Sequence, residues 1–356
     1  MTGGAGGAFR GQIGNFGHLF ADSVSQETLK NNGRDTVFIT GGALVGVTQV
    51  VRPDLPWIVS TTPTIDTMAV LAPRPGARIL FQNSSMLWFQ RGGRMTAVGE
   101  PAKYIAFAPH GGSGFGGLRF DSPGANPNPT LSPTAVSTMT YVRVDSASGQ
   151  GVNEGACCFS SAIAGATRHR LELDSVIVHK AHNAAVLLNA RQSFMRRSLI
   201  DTTGNIASNY TTAQPAVVLN DSARVESSLI ARSGQNGIYA PGTGARLTNV
   251  RVVDSRGVAL QADGGIMDST SVGVRMDSTN AYPFHGRIEN LGILAGTAAL
   301  QTANLLGNTD NKVHITGGAL TRDTVDAIAA VRWVVQSTTT IDTLARLVGQ
   351  AGADVT

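Results

Sequence analysis

The chain has 356 residues, 42% of them hydrophobic and only 6% aromatic, with 42 glycines and a formal net charge of +4. That apolar content suffices for a continuous core, while much glycine and few aromatics favour close backbone packing and frequent turns over large helical cores. The 24 arginines and 4 lysines are scattered without a basic run, which argues against nucleic-acid binding, and no apolar stretch reaches the roughly 18 residues of a membrane span.

The N-terminus, "MTGGAGGAFRGQIGNFG", lacks a charged segment followed by an apolar one, so no signal peptide is read in this chain. The phrase "VFITGGAL" at 37–44 returns 276 residues later as "VHITGGAL" at 313–320. At the same offset Trp57 falls on Trp333, and "TIDT" at 64–67 falls on "TIDT" at 340–343. Upstream the offset is 275, with "GQIGNFGHL" (11–19) over "GRIENLGIL" (286–294) and Phe9 over Phe284. Residues 11–80 and 286–356 therefore read as two copies of a repeat with a period of about 276 residues: one full period and the opening of the next. The first copy starts at the very N-terminus, so the chain is expected to begin inside a structural unit. An excerpt of a longer protein and a removed leader both fit this reading.

Further along, Cys157 and Cys158 are adjacent, a spacing that strains a disulfide, and they read as small hydrophobes. From 171 onward a finer repeat sets in. "LELDSVIVHK" (171–180), "FMRRSLID" (194–201), "RVESSLIAR" (224–232) and "RLTNVRVVD" (246–254) align on Leu173, Met195, Val225 and Leu247. Each is followed by a second apolar run, which stacks Val186, Val217, Ile238 and Val258 in one column and Leu188, Leu219, Ala240 and Leu260 in another. A polar column of Asn189, Asn220, Pro241 and Gln261 suits a turn, where stacked amides satisfy one another. Short strands every 20–30 residues, apolar in fixed columns and broken by "SGQNG" (233–237) and "APGTGA" (240–245), point to stacked coils of three strands each. A sandwich or propeller would show hairpin turns at regular spacing; "QNG" at 235–237 is the one candidate, and the columns run through it. The fold is read as all-β, a single right-handed parallel β-helix over 1–356. With about 14–16 coils spaced ~4.8 Å apart, it would be a rod about 70 Å long.

The run from Trp57 to Phe120 resembles the opening block of bacterial extracellular right-handed parallel β-helix repeat proteins, whose architecture is that of the pectin lyases. The segments that carry the likeness are "PWIVSTTPTIDTMAVLAPRPGARILFQ" (56–82), "SSMLWFQRGGRMTAVGEPAKYIAFAP" (85–109) and "GGLRF" (116–120). Gly76 occupies the family's turn glycine position, whereas "APRP" at 72–75 replaces its common acidic-Pro pair. The resemblance implies a secreted, surface or periplasmic location and a role as stalk, adhesin or scaffold. For a minority of such proteins it implies polysaccharide lyase or hydrolase activity.

Chemistry on this fold needs charged groups converging on one outer face. The carboxylates near the coils are Asp145, Asp174, Asp201, Asp254 and Asp268. Asp145 and Asp201 each follow a core methionine by six residues, and Asp254 lies one step further along its coil, a pattern of turn capping. Asp201 and Asp254 are the catalytic candidates should the protein be an enzyme. "HKAHN" (179–183) spaces His179 and His182 by three, without a third ligand, so no metal site and no cofactor are assigned. "GGSGFGG" (111–117) lacks the Lys-Ser/Thr ending of a phosphate loop, and the Asn209–Thr211 triplet is a glycosylation pattern without weight here. Trp57 and Trp88 are candidate sugar platforms. The resulting reading is a non-catalytic structural or binding module. Its partners would be further copies of itself or a larger assembly met through coil ends, with carbohydrate as a candidate ligand; the alternative is a polysaccharide lyase or hydrolase acting in a groove on one face.

Overall fold

The computed structural model describes residues 7–31, 34–82, 84–111, 114–121, 135–147, 150–151, 160–204, 214–296, 305–321, 324–327 and 329–356. The adjacent cysteines and the Asn209–Thr211 triplet lie outside these residues. The chain divides into two compact units, residues 1–190 and 191–356. Each is built as a parallel β-helix, in which the chain visits three sheets, here A, B and C, in rotation.

In the first unit sheet A stacks Phe9–Gly11, Val37–Ile39, Trp57–Val59, Arg78–Phe81, Ile105–Pro109, Val142–Asp145 and Ile177–Ala181. Between successive A strands the chain passes through sheet B, for example Thr64–Asp66 and Met86–Phe89, and sheet C, for example Val70–Pro73 and Arg94–Val98. Side chains alternate inward and outward, as in Arg94–Val98, where Met95 and Ala97 are buried and their neighbours exposed. Because the register is parallel and unshifted, inward residues form continuous columns. One runs Phe9, Val37, Trp57, Ile79, Phe107, Val144, Val178. Another, in sheet B, stacks the rings of Phe89 and Phe120 with centroids 4.5 Å apart. Gln150–Gly151 departs from the pattern by pairing antiparallel with Ser160–Ser161.

In the second unit sheet A holds Leu199–Thr203, Leu229–Ser233, Arg251–Val253 and Arg275–Asp277, and sheet C holds Phe194–Arg196, Arg224–Glu226 and Arg246–Thr248. Met195, Val225 and Leu247 are in register, as the sequence columns require. The column through Val217 and Ile238 continues differently. It passes to Leu260, not Val258, and then to Phe284, Val313 and Trp333. The sequence alignment matched the two Gly-led phrases at 237 and 257, but the coil between Ile238 and Leu260 spans 22 residues rather than 20. The slip is two residues, so both registers bury the same side of the strand.

The repeat is structural. In the first copy Phe9–Gly11 leads into helix α1 (Ile13–Leu19) and on to Val37–Ile39, with Phe9, Val37 and Trp57 in register. In the second copy Phe284–Gly286 leads into helix α2 (Ile288–Gly296) and on to Lys312–Ile315, with Phe284, Val313 and Trp333 in register. The matching hydrogen bonds recur: Ile13 N to Gly41 O at 2.8 Å and Ile288 N to Gly317 O at 3.0 Å. Neither helix was read from the sequence. Ile13, Phe16 and Gly17 face inward on α1, where Phe16 packs edge-on against Trp57 at 5.2 Å.

Sharp turns follow a rule of their own. Near the end of several A strands, or just after them, one residue adopts positive φ: Ser146 and Lys180 in the first unit, Thr202, Arg232, Asp254 and Ser278 in the second. Before the A strands Tyr141, Ser175, Arg197, Ser227 and Asn249 do the same. Left-handed backbone is unfavourable for residues with a Cβ, so the closure of each coil works against local preference and is held by the ladder on both sides. Ser227 is exposed, which isolates the backbone effect. Ser227→Val is expected to lower stability by about 1–2 kcal/mol, whereas Ser227→Gly stays within about 1 kcal/mol of the parent. Urea unfolding midpoints check both; a Val variant as stable as the parent would contradict the turn assignment.

Candidate functional site

The outer edge of sheet A carries the acidic residues that the sequence singled out. In the first unit Arg143 binds Asp145 through Nε at 2.6 Å and Nη2 at 3.1 Å, and His179, in register one coil on, places Nδ1 3.2 Å from Asp145 Oδ1. His182 is exposed and sits beyond that contact. In the second unit Asp201, Ala231, Val253 and Asp277 are in register. Arg232 reaches back to grip both oxygens of Asp201, with Nε at 2.7 Å from Oδ1. Asp254 follows one coil later at the positive-φ turn position, and its charge also acts on Arg232. Of the two catalytic candidates, Asp201 is bound by the Arg232 guanidinium, while Asp254 acts on it only through its charge.

That grouping is poorly suited to acid–base work. The hydrogen bond to Asp201 is the main influence that raises the Arg232 pKa above its ordinary value, with the charges of Asp201 and Asp254 adding to it, so the group is held protonated and unavailable as a general base. Arg251 and Arg275 hold Asp277 in the same manner. The sequence reads turn capping for Asp145, Asp201 and Asp254; a carboxylate outside that set, Asp268, caps its turn, accepting from Thr270 N at 2.7 Å and from its hydroxyl at 2.5 Å. Asp145 and Asp201 bind guanidinium groups instead.

The two tryptophans differ. Trp57 is fully buried against Phe16, and so is Trp333 in the second copy, so both serve the core and present no ring face to a ligand. Trp88 is half-buried on the outside of sheet B, between Thr64 and Arg119. Its indole N–H donates to Asp121 Oδ2 at 2.7 Å, and the Arg119 guanidinium lies 4.8 Å from its ring centre while also binding Asp121 at 2.8 Å. The face toward Arg119 is already occupied by a cation.

A polar-aromatic strip lies on sheet B of the second unit, and it includes Gln261, which the sequence placed in a turn column with Pro241 but which sits within strand Leu260–Ala262 in register with Tyr239. Tyr239, Gln261, His285 and His314 are stacked in register on the outside. Tyr282 lies flat on His314 at 4.0 Å, and Gln336 meets His314 Nδ1 at 2.9 Å. The register alone brings these together, since Tyr239 and His314 are far apart in sequence. Among the described residues no group of three or more His, Cys, Asp or Glu is placed to hold a metal ion, and no helix is long and apolar enough to cross a membrane. The end of the glycine-rich 111–117 segment becomes a strand: Phe115 stacks on Phe81 at 4.3 Å, and Gly117 opens Gly117–Phe120.

One pair has the spacing of a nucleophile and its base. Ser137 Oγ lies 2.8 Å from His169 Nε2 and accepts from Met95 N at 2.9 Å. Both side chains are fully enclosed in the core, so no substrate reaches them. No protein family, curated protein or solved structure matches the chain.

Burial pushes the His169 pKa down from 6.5 to about 4. Between these values the unfolded chain binds a proton that the folded one refuses. Stability from this group is therefore complete above pH 6.5 and lost as pH falls toward about 4, by up to about 3 kcal/mol. Urea unfolding of the parent and of His169→Gln across this window is expected to show a steeper acid loss in the parent; equal slopes would contradict the burial of a neutral imidazole.

Proposed function

We propose that the chain is a structural and binding module of a secreted or surface-exposed bacterial protein, a stalk, adhesin or scaffold segment that joins a larger assembly through its coil ends. The observation that carries this reading is the repeated opening of the β-helix. The same strand–helix–strand device begins the first unit and recurs within the second, where it is laid directly on the preceding coil through Phe284–Gly286 against Leu260–Ala262. A chain that restarts its own architecture on a finished coil is organised for extension, since each added coil stabilises only its neighbours. The resemblance of 56–120 to extracellular bacterial β-helix proteins supports the location. The Tyr282–His314 strip supports carbohydrate as the ligand class along the flank.

The alternative, a polysaccharide lyase or hydrolase, draws on Asp201 and Asp254 flanking Arg232. Their mutual neutralisation favours the structural role. Purified protein incubated with pectins, alginates and glycosaminoglycans is expected to release neither reducing ends nor unsaturated products, while binding to a glycan array or a cell surface is expected. Turnover that disappears in Asp201→Ala or Asp254→Ala would establish the enzymatic alternative instead.

A further inference from the structure

The joint between Phe284–Gly286 and Lys312–Ile315 in sheet B sets two histidines side by side on the outside of adjacent coils. His285 and His314 are in register, with ring centres 6.2 Å apart. Tyr282 ties three coils together there. Its carbonyl accepts from Ala259 N at 3.3 Å in the coil before, and its ring lies flat on His314, 4.0 Å away, in the coil after. Both imidazoles are half-buried.

His314 is held as a neutral ring. Gln336 Nε2 meets its Nδ1 at 2.9 Å, and an amide nitrogen only donates, so Nδ1 accepts and carries no proton. Turning the amide over would give a protonated Nδ1 an acceptor, yet the surrounding charges would still oppose the cation. Lys312 stands two residues along on the same outer side of the strand, and Asp310 already binds its Nζ at 2.5 Å. Arg332, in register with Lys312 on the next coil, is paired with Asp354 at 3.1 Å. Asp263 serves His285 instead: its Oδ2 lies 3.7 Å from His285 Nδ1 and accepts from Gln261 Nε2 at 2.7 Å. Val334, in register with His314 on the next coil, brings no charge.

Asp310 and the face of Tyr282 favour a cation at His314; burial, the Gln336 amide, Lys312 and a charged His285 oppose it. Burial first, then the charges of His285 and Lys312, hold the His314 pKa below the ordinary histidine value, with Asp310 acting against them.

We propose that this pair is an acid-sensitive catch built into the fold: with His314 neutral it holds Lys312–Ile315 against Phe284–Gly286, and protonation of His314 loosens that joint. The proton comes from solvent and lands on Nδ1, where it sets donor against donor at Gln336 and cation against cation at Lys312 and His285. The sign follows from linkage. A folded pKa below the unfolded value of 6.5 means that the opened joint binds the proton more tightly. Stability from this group is therefore complete above pH 6.5 and lost as pH falls toward the folded value. Over that window the opening equilibrium rises by up to about tenfold per pH unit. The catch needs neither a sugar ligand nor an assembly partner, so it and the structural reading above fail separately.

Hydrogen exchange of the full chain at about pH 7.5 and about pH 5, corrected for the intrinsic pH dependence of amide exchange, tests this. The joint is read through residues 313–316, where Thr316 N donates to Gly286 O at 2.9 Å. Protection there is expected to fall about tenfold more in the parent than in His314→Phe, which keeps a flat ring for Tyr282 but takes up no proton. His285→Gln removes one opposing charge and should give an intermediate fall. His169 is unaltered in all three proteins, so its own acid response is common to them. The ring titration of His314 in the parent, followed by NMR, is an independent measure and is expected to have its midpoint below pH 6.5. Parent protection that does not change, an equal fall in His314→Phe, or a ring that titrates at or above 6.5 would overturn the proposal.

Discussion

A strand in a parallel β-helix satisfies only itself and its two neighbours along the axis, and everything else in this protein follows from that dependence. Its backbone groups have no partners within the coil, so each lap needs another on either side. The inward columns, such as Val37 over Trp57 over Ile79, are the side-chain consequence of the same ladder. Once the ladder fixes the register, an apolar residue in one coil demands an apolar residue at the same place in the next. The positive-φ turn residues show the strength of that demand: Arg232, Asp254 and Asn249 adopt left-handed backbone because the strands they join have no freedom to shift.

A solenoid governed by neighbours has its weak points at the ends, where unpaired edges and apolar side chains meet water. In the first copy of the repeated opening, α1 turns Ile13 and Phe16 inward and fills the lap with side chains rather than backbone ladder. At the internal joint α2 does the same for the second opening and, through Asn290, binds the lap beneath. The outer faces, by contrast, are dominated by arginine–carboxylate pairs at i and i+2, such as Arg119–Asp121, Arg143–Asp145 and Arg275–Asp277. Arg119–Asp121 is largely buried and Asp277 is buried, whereas Arg143 is half exposed and its pair with Asp145 contributes little stability while keeping the flank charged.

Much of this architecture was legible in the residues. The column Met195, Val225, Leu247 survives in the structure, because burial constrains residue type at fixed places in a coil. The slip from Val258 to Leu260 shows the limit of such reading: glycine-led phrases mark turns, and a turn gains or loses two residues without disturbing which side of the strand is buried. The two short helices escaped notice because α1, at 7 residues, spans about two turns and α2, at 9, about two and a half, too short for a 3.6-residue pattern to stand out within a sequence full of strands. Trp57 was ambiguous for a related reason, since a repeated aromatic fits a core or a platform equally until its burial is known. The His314–Tyr282 strip could not have been found at all, because only the register brings its residues side by side.

The central claim is the parallel register itself, and disulfide trapping measures it directly. With Cys157 and Cys158 replaced by serine, cysteines at Tyr239 and Gln261 are paired neighbours on the outside of adjacent laps. Mild oxidation is predicted to join them in high yield and to leave a Tyr239/Ala259 cysteine pair unlinked. Free thiols at 239 and 261, or efficient linkage of 239 to 259, would mean that the laps do not lie as described.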